Sequence, residues 1–196
     1  MLHNLYDQTG SNFSSKQTMK STEVYAILRD RIAGELKLLG FKREKSFLSW
    51  SRRHGDLYTV LWCQVSQDGW DEYAGSKFTV ELQRSMESAV GSRAEQRKRI
   101  GELLSSVQRE ELREMQNRVI ASLRKPPTNH PILAVSPEVN KWYLAKFKHD
   151  DLPYPPNYDI WFRYARAADV EHWATFLAKV VPKCVEVMER PSDPTV

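Results

Sequence analysis

The segment KFTVELQR, residues 77–84, alternates strictly between polar and apolar side chains. Phe78, Val80 and Leu82 fall on one side, and the polar residues between them fall on the other. Because successive side chains of a β-strand point to opposite faces, this pattern predicts a strand with one buried and one solvent-exposed face. The segment therefore predicts a half-buried strand, and with it a β-sheet.

Further strands are predicted on both sides of this segment. Residues 46–52 have an extended pattern, and His54-Gly55 supplies the positive φ that a tight hairpin turn needs. Residues 57–66 carry apolar side chains on both faces, which predicts an interior strand. Short turns between these consecutive strands indicate an antiparallel meander. The aromatic segment DIWFRY, residues 159–164, predicts a fourth strand.

Helical spacing precedes and follows the meander. Residues 22–39 predict an amphipathic helix, and Gly40 stands where a left-handed residue commonly ends a helix. Residues 93–125 also have helical spacing, which fits two helices or one bent helix. After a proline-rich stretch, residues 136–148 predict another helix.

A last helix is expected to begin at Asp169, whose side chain can cap it. The apolar residues that follow form a stripe that is typical of a helix packed on a core. Pro182 lies inside this stripe, so a kink or a break is expected near residue 181.

Together these elements predict an α+β fold. We expect an antiparallel sheet of about four strands, with helices packed mainly on one face and a helical insertion between strands 3 and 4. A chain of 196 residues can form one good core. We therefore expect a single domain over residues 21–190, preceded by a disordered extension at 1–20 and followed by a frayed tail at 191–196.

Composition narrows the class of protein. No stretch approaches the roughly 18 consecutive apolar residues of a membrane-spanning helix, and the first residues lack the apolar core of a secretory signal. Cys63 and Cys184 lie in apolar patterns without a CxxC spacing, which predicts buried, reduced thiols. A cytoplasmic location without membrane contact is expected. The six Trp residues should dominate the core or line a recess in it.

The net charge of +4 is unevenly distributed along the chain. Residues 42–53 hold five Lys or Arg against one Glu, residues 93–125 hold nine against five Asp or Glu, and residues 150–196 hold five against eight. A basic side of this kind can mark a nucleic-acid surface. The candidate anion-binding residues are Lys42, Arg43, Lys45, Arg52, Arg53, Arg93, Arg97, Lys98 and Arg99.

The basic residues around the predicted first strand have a second interpretation. Along residues 46–52 the cations and the aromatic side chains do not all share one face. Charges at the ends of an exposed strand also prevent edge-to-edge pairing. A role in folding is thus an alternative to a role in binding.

The order of these segments resembles a known family. The segments that carry the resemblance are LKLLGFKREKSFLSW, SKFTVELQR, EQRKRIGELL and YDIWFRYARAADVEHWATFLAKVVP. Together, over residues 22–185, they resemble the bacterial family called domain of unknown function 4304. The resemblance implies a bacterial, intracellular α+β domain and implies no catalytic residue. The family usually has an Asn or a similar residue in the third strand, where this chain has Glu81.

No common catalytic or cofactor motif occurs in the sequence. We find no phosphate loop, Rossmann glycine set, nucleophile elbow or clustered Cys and His ligands. His149-Asp150-Asp151 is the one place where an imidazole adjoins carboxylates, and it is also typical of a polar helix end. A metal site usually needs three or four ligands. We therefore predict no catalytic residue, no metal site and no cofactor.

Asp159, Trp161 and Arg163 are expected to share one face of the fourth strand. Arg163 beside Trp161 could bind an anionic group while the indole stacks against it. The alternative is an Arg163 that stacks on Trp161 and pairs with Asp159 or Glu81 across the sheet. These three residues are possible ligand-facing positions.

Two functions follow as hypotheses. The first is a non-catalytic protein-binding module, immunity-type or regulatory, that contacts another protein through the loop residues Trp70, Asp71, Glu72 and Tyr73. The alternative is a nucleic-acid-binding module that uses the basic clusters at 42–53 and 93–99. An enzyme centred on Asp159, Arg163 or His149 is the third.

Overall fold

The computed structural model describes residues 19–124 and 161–190. The predictions for residues 1–18, for the helix at 136–148, for His149 and Asp159 and for the tail at 191–196 lie outside these ranges. The described elements are α1 (Ser21–Leu38), β1 (Lys42–Arg43), β2 (Leu48–His54), β3 (Leu57–Val65), β4 (Ser76–Ser85), β5 (Ala94–Arg99), α2 (Ile100–Leu103), α3 (Ser106–Ser122), β6 (Phe162–Tyr164) and α4 (Ala167–Glu189).

The predicted α+β fold is confirmed, with a sheet larger than the expected four strands. Six antiparallel strands form one sheet, in which β1 to β5 follow one another in chain order. The central strand β4 pairs with β3 along one edge. Along its other edge, β6 pairs with residues 76–78 and β5 pairs with residues 81–85. Strands β6 and β5 therefore pair with the same edge of β4, one after the other, and β4 connects both of them to the rest of the sheet.

One hydrophobic core joins one face of the sheet to the four described helices. The alternating apolar residues of β4 are fully buried in it, as predicted, and so is Leu28 of α1. Trp173 of α4 packs its ring 5.2 Å from that of Phe162 on β6. Its indole nitrogen donates a hydrogen bond of 2.7 Å to the carbonyl of Arg163. Aromatic packing thus fixes α4 against the short strand β6.

Local turn chemistry follows the sequence-based expectations. Helix α1 ends at Gly40, which has a φ of 81°, and the amide of Phe41 donates back to the carbonyl of Leu36 at 2.9 Å. This left-handed ending is the one that glycine favours. Strands β2 and β3 form the predicted hairpin, with Gly55 at a φ of 63°.

The helix predicted to begin at residue 93 is wrong over residues 93–99, about two turns. Residues Ala94–Arg99 form β5 and pair with β4, and helical structure begins only at Ile100. The polar stretch EQRKR has no apolar periodicity of its own, so pairing with a strand distant in sequence determines its conformation.

Of the kink or break expected near residue 181, the break does not occur, because helix α4 continues through Pro182. It runs from Ala167 to Glu189 with Pro182 inside it. The neighbouring residues Val180, Val181, Cys184 and Val185 are buried. Because proline removes one backbone hydrogen bond, the burial of this apolar stripe must offset the loss.

Among the described residues, no helix has both the length and the apolar character needed to cross a bilayer.

Both cysteines are free and buried, as predicted. Burial raises the pKa of the Cys63 thiol to about 12, against a smaller lowering by Arg43. Burial alone raises the pKa of the Cys184 thiol to about 12. Since the thiolate is the reactive form, both thiols should be inert in the folded protein.

A thiol-labelling experiment tests this arrangement. We expect the native protein to react negligibly with a disulfide reagent at mildly alkaline pH, and to expose both of its two cysteines after unfolding in guanidinium. The released chromophore counts the thiols. Rapid labelling of either cysteine in the native protein would contradict the burial of α4 and β3.

Candidate functional site

The second face of the sheet is opposite the helices, and because no helix of residues 19–124 and 161–190 packs on it, we call it the helix-free face. The register places Ser49, Trp62, Glu81 and Arg99 side by side on β2, β3, β4 and β5. Lys77 and Arg163 face each other on β4 and β6. None of these residues belongs to the core that the described helices share. This face therefore carries charged and aromatic side chains from every long strand.

Glu81 is a nearly buried carboxylate at the centre of this face, with 4% of its side chain exposed. Arg97 donates from Nε to its Oε2 at 2.5 Å, and Nε of Arg99 lies 3.6 Å from its Oε1. A buried charge is costly unless it is paired and hydrogen-bonded. Two arginines from β5 thus compensate one carboxylate on β4.

Aromatic rings hold these cations in place. The guanidinium carbon of Arg97 lies 5.2 Å from the Trp62 ring centroid, and that of Arg99 lies 5.0 Å from the Trp161 centroid. The ammonium group of Lys77 is also 5.2 Å from the Trp161 centroid. These distances are typical of cation–π contacts. The Phe47 ring, at the margin of the sheet, contacts Trp62 and extends this set. We call the whole set the aromatic–cation stripe: Phe47, Trp62, Arg97, Arg99, Trp161 and Lys77.

The polar side of β4 was predicted to be exposed, and that prediction is wrong. Thr79, Glu81 and Gln83 are buried. Arg97 and Arg99 bind Glu81. Gln83 is enclosed by the loop after β4, since its Nε2 donates to the carbonyl of Ala89 at 3.0 Å. Burial here depends on neighbouring segments, which the alternation within β4 does not reveal.

Phe47 lies in the turn before β2 with its side chain 66% exposed. Its φ of 55° is the one positive value at a non-glycine residue in the described ranges, and this conformation is strained for a bulky side chain. Arg43 holds the turn by donating to the carbonyls of Glu44, Phe47 and Ser49, the last two at 2.6 and 2.9 Å. Arg43, predicted as an anion-binding residue, is therefore committed to the turn.

Arg52 lies on the helix-covered side and fastens the ends of two helices. Its Nε donates to Oε1 of Glu189 at 2.9 Å, its Nη2 also donates to that carboxylate, and its Nη1 donates to the carbonyl of Leu39 at 2.6 Å. Burial raises the pKa of Glu189. Hydrogen bonds from Arg52 and Thr59, together with the charges of Arg52 and His54, lower it by more than burial raises it, so the pKa of Glu189 lies below its usual range. Arg52 therefore serves the fold.

The remaining basic candidates do not form one patch. Lys42, Lys45, Arg53 and Arg93 are exposed, and Lys98 is half-buried on the edge strand β5. The register aligns Lys42 with Ser51 and Arg53 with Tyr58 on the helix-free face. The residues of the predicted clusters at 42–53 and 93–99 therefore lie in different places: in the turn before β2, on the helix-covered side of the sheet and on the helix-free face.

Arg163 and Trp161 lie two residues apart in the chain. The stacking of Arg163 on Trp161 that the sequence suggested is not observed. The Trp161 ring contacts Lys77 and Arg99 instead. Arg163 donates from Nη1 to the carbonyl of Ala74 at 2.8 Å. Asp159, the third residue of this predicted set, lies outside the described residues. Trp161 therefore contributes to the stripe, while Arg163 anchors the loop before β4.

The loop with Trp70, Asp71, Glu72 and Tyr73 is half-buried, whereas the sequence suggested an exposed loop. The indole nitrogen of Trp70 donates to the carbonyl of Ala165 at 2.9 Å, and its ring packs against the core. Asp71 Oδ1 accepts from the amides of Tyr73 and Ala74 at 2.8 and 2.9 Å. The loop is consequently rigid, with Trp70 as its anchor.

A recess of about 700 Å³ opens beside this loop at one end of the sheet. Strand β2 pairs with β3 only as far as Leu48 opposite Cys63. Beyond that pair, the amide of Val65 donates instead to the hydroxyl of Tyr25, at 3.3 Å. Ligand pockets commonly measure ~300–1,000 Å³. The aromatic walls of the recess are Tyr25, Phe47, Trp62, Trp70 and Tyr164.

Sequence reasoning did not find this recess or the stripe as sites. Their members come from the turn before β2 and from β3, β5 and the segment around β6, which only the fold brings together. The high Trp count was the one indication of an aromatic-lined recess.

Within residues 19–124 and 161–190, no group of three or more His, Cys, Asp or Glu side chains could hold a metal ion.

Comparison of the chain with protein-family models, with curated proteins and with solved structures finds no match. The resemblance to the family of domain of unknown function 4304 stays a prediction. Functional inference for this protein therefore rests on the chemistry of its own residues.

Neighbouring arginines on β2 allow a matched test of this division of roles. Replacing Arg52 by Ala should lower the free energy of unfolding by about 3 kcal/mol, because Glu189 loses its main partner while nearly buried. Replacing the exposed Arg53 by Ala should change it by less than about 0.5 kcal/mol. Urea denaturation of both variants measures the difference, and equal stabilities would contradict the proposed role of Arg52.

Proposed function

We propose that this protein is a non-catalytic module that binds nucleic acid through the helix-free face of its sheet. The observation that carries the proposal is the aromatic–cation stripe. Arg97 and Arg99 lie beside the buried carboxylate of Glu81, and Lys77 and Arg163 face each other farther along the same face of the sheet. Phosphate groups are the ligands that such a surface attracts.

The position of Arg97 supports this proposal. Its Nε lies 2.5 Å from Oε2 of Glu81, so the guanidinium group is held at the surface of the sheet. Arg97 has 48% of its side chain exposed, although it is fixed from below by Glu81 and from the side by Trp62. An exposed guanidinium held in one orientation loses little entropy when it binds a phosphate.

The architecture also suits the ligand. Nucleic-acid-binding sheets combine a positively charged surface with aromatic side chains on one face. Here Trp62 and Trp161 lie on that face on either side of Glu81, one on β3 and one before β6. Lys77 is partly compensated by Asp68, whose carboxylate lies 3.5 Å away. Arg97, the most exposed cation of the aromatic–cation stripe, is therefore the main candidate for a phosphate contact.

A double variant separates binding from folding. Replacing Glu81 and Arg97 together by Gln removes both members of the closer ion pair, so the buried carboxylate is not left without Arg97, and the net charge of the chain is unchanged. We expect about tenfold weaker binding of a fluorescent oligonucleotide, because one charge-assisted contact is lost. Fluorescence anisotropy measures the affinity, and circular dichroism checks the fold.

Salt dependence and a control complete this experiment. With four cations in contact, the logarithm of affinity should fall against the logarithm of salt concentration with a slope of about −3 for a single strand. Arg118→Gln, on the exposed surface of α3, should have a smaller effect than the double variant. Absence of binding at low salt, or salt-independent binding, refutes the proposal.

The rigid loop around Asp71 favours a second candidate function, the binding of another protein. Asp71 and Gly75 exchange backbone hydrogen bonds of 3.0 and 2.7 Å, so the loop needs little ordering on contact with a partner. Its acidic residues Asp71 and Glu72 and the ring of Tyr73 could contact a basic protein surface.

A pull-down distinguishes this second candidate. If the loop binds a protein, the wild-type chain should retain that protein from an extract of its source cells after nuclease treatment. A Glu72→Ala/Tyr73→Ala variant should lose it, since both contacts are removed while the anchor Trp70 is kept. Quantitative mass spectrometry compares the two samples. Equal capture by both proteins would exclude the loop as the contact.

A further inference from the structure

We infer that the recess at the end of the sheet receives one unstacked base, so that the preferred ligand is a single-stranded nucleic acid. This inference rests on the proposed function, because the recess adjoins the aromatic–cation stripe. Phe47 and Trp62 belong to both. A strand whose phosphate contacts Arg97 would therefore have its neighbouring base at the mouth of the recess.

The walls of the recess suit a flat heteroaromatic ring. Tyr25 approaches from α1, Trp70 from the loop before β4, and Tyr164 from the end of β6. Its volume of about 700 Å³ exceeds that of one base and leaves room for the attached sugar. Bases stack on aromatic side chains in many proteins that bind single strands.

One residue that lines the recess has a polar atom without a partner. The indole nitrogen of Trp62 is buried and makes no hydrogen bond in the part of the chain that the structure describes. Buried donors are nearly always hydrogen-bonded, so this one calls for an explanation. Every base offers a carbonyl oxygen or a ring nitrogen that could accept from it. Because the nitrogen has almost no accessible surface, the Trp62 ring must turn towards the recess for a bound base to supply this acceptor.

The strained conformation of Phe47 is explained by the same ligand. Arg43 fixes the backbone at a φ of 55°, and the exposed Phe47 ring lies edge-on to Trp62 with 6.2 Å between centroids. The ring gains little burial from this position, with 66% of its side chain exposed. A bulky side chain held in a costly conformation at the rim is typical of a residue that contacts a ligand.

Three labelled probes test the inference with the wild-type protein: an oligothymidylate, an abasic oligomer of equal length and charge, and a duplex. We expect the oligothymidylate to bind about tenfold more tightly than the abasic oligomer, because only it can stack a base. The duplex should also bind more weakly, since its bases are paired. Equal affinities of the first two probes overturn the recess inference and leave the proposed function standing, whereas failure of all three probes to bind overturns both.

A matched pair of variants locates the base. Phe47→Ala should weaken binding of the oligothymidylate by about tenfold and leave binding of the abasic oligomer unchanged. Leu38→Ala removes another large apolar side chain, 82% exposed on α1, and should change neither affinity. Circular dichroism verifies that both variants fold. An oligothymidylate affinity unaltered by Phe47→Ala would show that the base does not occupy the recess.

Discussion

Glu81 carries a nearly buried negative charge on β4, the one described strand that pairs with three others, and this charge must be compensated from within the protein. Compensation comes from Arg97 and Arg99, so β5 must lie beside β4 for the carboxylate to be tolerated. Those arginines in turn stack on Trp62 and Trp161, which belong to β3 and to the segment before β6. A single buried charge thereby couples four strands. Apolar residues of similar volume are often as stabilising as a buried ion pair, so stability alone does not account for this arrangement.

The two faces of the sheet use arginine differently. On the helix-covered side, Arg52 shares its carboxylate with the hydroxyl of Thr59 and also donates to a backbone carbonyl, so its hydrogen-bonding capacity is largely used within the fold. On the helix-free face, Arg97 and Arg99 both lie beside the carboxylate of Glu81, and Arg97 keeps 48% of its side chain exposed. Both groups belong to basic clusters of the sequence, and it is the exposure of Arg97 that supports the proposed binding of an external anion.

The parts of the fold that could be predicted from sequence are those determined locally. The hairpin at Gly55, the helix ending at Gly40 and the apolar face of β4 all depend on residues close together in the chain. Strand β5 could not be predicted, because its pairing with β4 and its ion pairs with Glu81 involve residues distant in sequence. For the same reason the stripe and the recess were not predicted. Each takes its residues from at least three separate segments, and no spacing in the sequence connects them.

Both candidate surfaces arise where strands end. Strand β3 has nine residues and β2 has seven, so the last residues of β3 extend past Leu48 and pair with β4 on one side but not with β2 on the other. Tyr25 substitutes for that strand at the amide of Val65, and the turn around Phe47 leads the chain away from the edge that is left open. On the opposite side of β4, β5 ends at Arg99 and β6 begins at Phe162, and Trp161 stacks beside the junction. Had β2 continued to the end of β3, its side chains would occupy the space where the recess lies. The early ends of β2 and β5 are therefore what leaves room for the binding surfaces that we propose.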